Sequence, residues 1–139
     1  MTPDQKDIVR RTWALIVPDG DAAARLFYGR LFAIAPEVEP LFATTDAAAQ
    51  RRKLLAALAA AVAGLDTPDR LIPVLADLGR RHVGYGVEDA HYDIVGAALL
   101  WTLERGLGDA WNEAVAEAWT AAYGLVAGVM RDGARQAAA

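Results

Sequence analysis

The sequence predicts an all-α fold, and three observations predict it. Alanine is abundant and β-branched residues are few, a composition that favours helix over strand. Apolar residues recur at steps of three and four along most of the chain. No stretch alternates with period two over a strand's length, and short loops rich in Pro, Gly and Asp separate the periodic runs. The reading is about six main helices and one short bent segment, forming a single domain over residues 1–139.

Thr2-Pro3-Asp4-Gln5 is a helix start: Thr2 caps, Pro3 suits the first helical position and Gln5 completes a capping box. This helix runs to about Val17, with Ile8, Trp13, Ile16 and Val17 as its apolar surface. Pro18-Asp19-Gly20 turns the chain. Asp19 or Asp21 caps a second helix to about Ile34, which carries Leu26, Phe27, Tyr28, Leu31 and Phe32. Gly29 inside it is expected to allow another helix to approach closely. Pro36 and Pro40 frame a tight segment that ends in Leu41-Phe42.

Thr44 or Thr45 is the expected cap of a helix from about Asp46 to Gly64. Gln50, Leu54, Leu58 and Val62 share one of its faces, with Gln50 heading an otherwise apolar stripe. The run Leu54 to Leu65 is too short to span a bilayer and reads as a buried helix. Asp66-Thr67-Pro68-Asp69 repeats the Thr-Pro start. Leu71, Leu75, Leu78 and His82 then share one face of the following helix, which Gly84 and Gly86 end. A helix from about Glu88 to Arg105 carries Tyr92, Val95, Leu99 and Trp101, and Gly106-Leu107-Gly108-Asp109 closes it. The last helix runs from about Asn112 to Arg131, and residues 133–139 are expected to fray.

Composition bounds the function. A net charge of −4 argues against a nucleic-acid binder, which needs a basic surface to neutralise phosphates. Arg51-Arg52-Lys53 and Arg80-Arg81 are too short to change that. No cysteine is present, which excludes disulfides, thiolate metal sites and cysteine nucleophiles. The polar amino terminus has no signal-peptide core, and no segment suits a membrane span. A cytoplasmic location is the default expectation.

The chemistry centres on His82. An imidazole at the end of an apolar helical stripe, before a glycine corner, suits a metal ligand. One nitrogen must keep a free lone pair while the other donates, most simply to the Leu78 carbonyl one turn back. A lone histidine on an apolar face is more often a hydrogen-bonded core residue, so the neighbouring features decide. Phe42 ends a proline-framed corner, Gln50 starts a later helix, and Tyr28 lies on a helix that must cross the Gln50 helix.

These residues, in the runs LFYGRLFAIAPEVEPLF, QRRKLL, LGRRHVGYGVEDAHYDIVGAALL and EAWTAAYGLVAGVM, resemble the globin family over essentially the whole chain. The likeness is to bacterial single-domain globins allied to the haem domain of flavohaemoglobins. It implies a globin fold around one haem b, iron protoporphyrin IX. It places His82 at the proximal iron ligand. Phe42 matches the corner phenylalanine that stacks on the porphyrin, and Pro36 the proline before it. Tyr28 and Gln50 match the distal tyrosine and glutamine, and Leu54 the aliphatic residue one turn on. Leu41, Leu78, Val87, Tyr92 and Val95 are implied haem contacts, with Lys53 and Arg81 able to reach the propionates.

The implied ligands are O2, NO and CO, and the implied role is oxygen binding, storage or carriage. One alternative is an NO dioxygenase that draws electrons from an external reductase, since no GxGxxG motif or strand-rich half follows in these 139 residues. A second alternative is a gas-sensing module, and a third is a haem-free helical interaction domain. A monomer or weak homodimer is expected. In flavohaemoglobin-like members a tyrosine matching Tyr92 works with a glutamate on the last helix near the proximal histidine. Here Ala134 stands at the matching position, which weakens the case for strong electron donation to iron. The only other histidine, His91, is expected to be a partly exposed turn residue, so no distal histidine is available.

Overall fold

The computed structural model describes residues 1–138. Six α-helices lie among them: α1 (Pro3–Ile16), α2 (Gly20–Ile34), α3 (Ala47–Ala63), α4 (Pro68–Gly84), α5 (Asp89–Leu107) and α6 (Glu113–Ala138). A short 3-10 helix, Pro36–Phe42, is the bent segment between α2 and α3. The expected all-α reading therefore holds.

Local chemistry explains most boundaries. Thr2 and Gln5 form the expected capping box, with bonds of 3.1 and 3.0 Å. The other caps differ from expectation. Asp46, not Thr44 or Thr45, caps α3 by accepting from the Ala49 amide at 3.1 Å. It immediately precedes the first helical residue, where a side-chain oxygen reaches the orphan amides. Asp19 precedes α2 without a side-chain cap bond, and Asp21 lies in the first turn. Thr67 likewise makes none before α4.

The end of α4 follows the glycine signal. The Val87 amide donates to the His82 carbonyl and the Gly86 amide to the Val83 carbonyl, both at 3.1 Å. Gly86 has φ 87°, the left-handed conformation that this Schellman arrangement requires.

The main core joins α1, α2, α5 and α6. Val9, Trp13, Ile16, Phe27, Leu31, Leu99, Leu103, Val115 and Trp119 are buried in it. Its polar groups are paired: Trp119 Nε1 donates to Thr12 Oγ1 at 2.8 Å, and Thr12 donates to the Ile8 carbonyl at 2.7 Å. A second cluster of Leu71, Leu75, Tyr92, Ala127 and Met130 seats α4 on α5 and α6.

Close helix approach occurs at other glycines than the expected one. A Cβ on Gly79 of α4 would strike the Met130 carbonyl, and one on Gly133 of α6 would strike the Ala76 carbonyl. Gly29 has nothing within 4 Å of where its Cβ would be, so no helix packs against it.

Two further expectations are corrected. The last helix does not end near Arg131: α6 continues to Ala138, and Ala139 lies outside the described residues. Gly133 packs against α4, and Arg135 pairs with Asp132 at 3.0 Å. The run Leu54 to Leu65 is not a buried helix either. Val62 is the buried residue of α3, and Leu65 just beyond it is buried too. The alanines at 56, 57, 59, 60 and 63 face outward, so the run owes its hydrophobicity to alanine on an exposed face.

Candidate functional site

His82 sits in the last turn of α4, half-buried, on the face that Leu71, Leu75 and Leu78 begin. Its Nδ1 lies 2.7 Å from the Leu78 carbonyl, one turn back. A carbonyl only accepts, so Nδ1 carries the hydrogen. Nε2 has no hydrogen bond among the described residues, so its lone pair is unused. Burial depresses the His82 pKa, the Leu78 bond opposes this in part, and nearby Arg81 adds a smaller lowering. The ring is therefore neutral at pH 7, the form that can coordinate a metal. The exposed Tyr85 ring lies 5.7 Å from it, centroid to centroid.

Tyr28 on α2 and Gln50 on α3 meet. Gln50 Nε2 donates to the Tyr28 hydroxyl oxygen at 3.0 Å, across 22 residues of sequence. The phenol keeps its own hydrogen to give elsewhere. Burial raises the Tyr28 pKa, against a smaller lowering by the Gln50 bond, so the group stays protonated. Tyr28 stands edge-on to Phe42 with centroids 5.6 Å apart, and Phe32 packs on both rings. Tyr28, Phe32, Phe42 and Gln50 line a cavity of about 310 Å³ whose other walls include Arg25, Glu39 and Arg51. A larger, open groove of about 610 Å³ runs along the other face of α2 beside Trp101, away from these groups.

The Leu41-Phe42 corner joins the two sides. Phe42 packs on Tyr28, while Leu41 Cδ2 lies 3.2 Å from the position a Cβ on Gly86 would take, in the turn after His82. Leu54 and Val95 are half-buried against the main core. Leu78 and Val87 are half-buried against the second cluster. Lys53 is exposed with no carboxylate partner among the described residues, whereas Arg81 Nε pairs with Asp77 at 3.2 Å.

Tyr92 is buried, and its hydroxyl has no hydrogen-bond partner among the described residues. Arg131 covers the ring, its Cζ 5.2 Å from the centroid, while its guanidinium pairs with Asp89 and Asp93 at 3.1 and 2.8 Å. The Tyr92 pKa is raised by burial, a shift that Arg131 opposes. His91 accepts from the Glu88 amide at 2.9 Å and so helps to start α5.

Sequence reasoning missed the ion-paired wall beside Tyr28. Asp21 binds Arg25 at 2.9 Å and Arg51 at 2.7 Å. The first pair has i,i+4 spacing and was readable; the second crosses helices and leaves no local signal.

Fold and site together define an all-α protein with an imidazole whose second nitrogen is free at the end of α4 and a hydroxyl–amide pair between α2 and α3. The chain belongs to the globin family, whose model matches residues 25–130. It is 35% identical over 132 residues to a flavohemoprotein of Bordetella parapertussis, covering 94% of this chain and 33% of the relative. A flavohemoprotein of Deinococcus radiodurans is 36% identical with the same coverage. The chain thus spans about a third of the length of these relatives. Among solved structures it resembles a bacterial globin from Campylobacter jejuni, with TM-score 0.85, 27% identity and 97% of both chains covered. A hexacoordinated heme protein from an anhydrobiotic tardigrade shares the fold at TM-score 0.87 and 19% identity, covering 97% of this chain and 96% of that one.

The family implies a haem, and the donor set suits one. His82 is neutral with Nδ1 engaged and Nε2 unused. Leu78 and Val87 on the His82 side and Leu54, Leu55 and Leu58 on α3 are half-buried and apolar. No helix of the described residues is long and apolar enough to cross a membrane.

Proposed function

We propose that this chain holds haem b through His82 Nε2 and reversibly binds O2, and also NO and CO, beside Tyr28 and Gln50. The observation that carries the reading is the His82 geometry: an imidazole fixed through Nδ1 by its own helix, neutral, with the other lone pair free. When bound, the haem supplies an iron centre with a coordination position open to a diatomic ligand. Phe42, Leu41, Leu78, Val87, Tyr92 and Val95 would hold the porphyrin by apolar contact, and Lys53 and Arg81 would meet its propionates. Arg81 would share its charge with Asp77 in doing so.

The chain's own polar groups set the ligand preference. Tyr28 accepts from Gln50 and keeps a hydrogen to donate. A ligand that gathers negative charge, as O2 does on binding ferrous iron, is favoured by that donor. One such bond contributes about 1–3 kcal/mol, which is roughly 5- to 150-fold in affinity. Leu54 would exclude water. The reading is slow ligand release, suited to storage or scavenging.

NO dioxygenation with an electron-donating partner is the second reading. The likeness to the globin third of flavohemoproteins favours it. The Tyr92 hydroxyl without a partner and Ala134 on α6 argue for weak electron donation to iron.

The test is the visible spectrum of the purified protein supplied with haem, oxidised, reduced, and reduced under O2 or CO. A strong Soret band that moves with each ligand, and is lost or displaced in His82→Ala, is the expected result. No Soret band would contradict the proposal. Continued NO consumption with a reductase present would favour the second reading.

A further inference from the structure

We infer that Asp21 is a positioning residue for the Tyr28–Gln50 pair, acting through Arg51. This rests on the reading of that pair as ligand-facing donors. The amino-terminal half of α3 has no fully buried side chain: Leu54 and Leu55 pack half-buried on the core, and the buried residue of the helix, Val62, lies near its far end. At the Gln50 end three contacts join α3 to α2. Gln50 binds Tyr28 at 3.0 Å. Leu55 covers Gly20, its Cδ1 3.3 Å from where a Cβ would stand. Arg51, the next residue after Gln50, donates from Nε to Asp21 at 2.7 Å.

The Arg51 contact is built differently from an ordinary surface pair. Its side chain is 16% exposed, against 66% for Arg25, the other cation on the same carboxylate. Among the described residues Asp21 is the one acceptor of the covered guanidinium, and Arg51 lines the same cavity as Tyr28, Phe42 and Gln50. An exposed ion pair adds little stability. A covered arginine next to Gln50 in sequence instead fixes where that residue stands, since turning α3 to free Arg51 carries Gln50 with it. Arg51 and, to a lesser degree, Arg25 hold the Asp21 carboxyl below its ordinary range. The clasp therefore stays charged through the ordinary carboxylate range and is lost only as pH falls below it, through the lowered pKa.

The experiment compares Asp21→Ala, Arg51→Ala and Arg25→Ala with the parent, each shown folded by circular dichroism. The first readout is amide hydrogen exchange at 50–53 in haem-free protein. The second is O2 and CO dissociation from the haem-loaded form. Asp21→Ala and Arg51→Ala are expected to speed exchange and to raise the O2 dissociation rate about threefold, the loss from one weakened hydrogen bond. CO dissociation should change less, because bound CO is a weaker acceptor. Arg25→Ala should have a smaller effect, and exchanging the charges (Asp21→Arg with Arg51→Asp) should restore the slower rates. Unchanged exchange and O2 rates in Asp21→Ala and Arg51→Ala would overturn the inference. So would an Arg25→Ala effect as large as theirs, which would assign the role to α2 stability. A parent protein that binds no haem would overturn the functional reading instead, while the exchange data would still decide whether the clasp holds α3.

Discussion

The helices that carry Gln50 and His82 are fastened to the molecule in different ways. α4 meets α6 backbone to backbone, with Gly79 under the Met130 carbonyl and Gly133 under the Ala76 carbonyl. Leu71 and Leu75 bury beside this contact. α3 buries one residue, Val62, and its leading turn depends on polar contacts to α2. The histidine helix is thus set by close packing, which has few alternative arrangements. The glutamine helix is set by directional bonds, which can be exchanged for bonds to water or ligand. Under the proposed function, the rigid side would fix the metal ligand and the adjustable side would meet the incoming molecule.

The comparison can be broken most strongly at the glycines. Gly79→Ala or Gly133→Ala forces a methyl into a carbonyl and should destabilise by about 1–3 kcal/mol, measured by urea unfolding. Gly29→Ala is the matched control, with open space around its Cβ. It should stabilise α2 by about 0.5–1 kcal/mol in the same assay. Equal costs at all three sites would remove the packing argument.

Thr12→Val comes next. It leaves the buried Trp119 N–H without its acceptor and should cost about 1–3 kcal/mol. Its effect on the ligand rates should be small, since Thr12 bonds to Trp119 and to its own helix and to neither Tyr28 nor Gln50.

The smallest effect is expected at Tyr92. Its hydroxyl is already unpaired, so Tyr92→Phe should change stability by less than about 1 kcal/mol. A larger loss would mean that the hydroxyl has a partner in solution. An alanine at 134 cannot supply one, and restoring an acceptor with Ala134→Glu is the complementary change. It should alter the iron–histidine stretching frequency if the hydroxyl is in reach of His82, and leave it unmoved otherwise.

Legibility in the sequence followed the range of the interaction. The Thr2–Gln5 capping box, the Leu71-to-His82 stripe, the Leu78 carbonyl as partner of Nδ1 and the glycine corner are all within one or two helical turns, and each was readable. The Tyr28–Gln50 contact was readable only as a crossing of helices. Its bond needed the structure. The glycine contacts between α4 and α6, the Asp21–Arg51 clasp and the continuation of α6 past Arg131 depend on residues distant in sequence, where no periodicity signals a contact. Gly29 shows the converse error: a glycine inside a helix looks like a close approach until its surroundings are known. The run Leu54 to Leu65 was misread because alanine counts as apolar yet sits as easily in an exposed helix as in a core.

The most direct test of the account is O2 and CO dissociation in Tyr28→Phe against the parent, by stopped-flow on the haem-loaded protein. O2 release should be at least about tenfold faster with CO release little changed, because only the more polar ligand loses a donor. Equal O2 rates in the two proteins would contradict it, and would return Tyr28 and Gln50 to packing residues that bond only to each other.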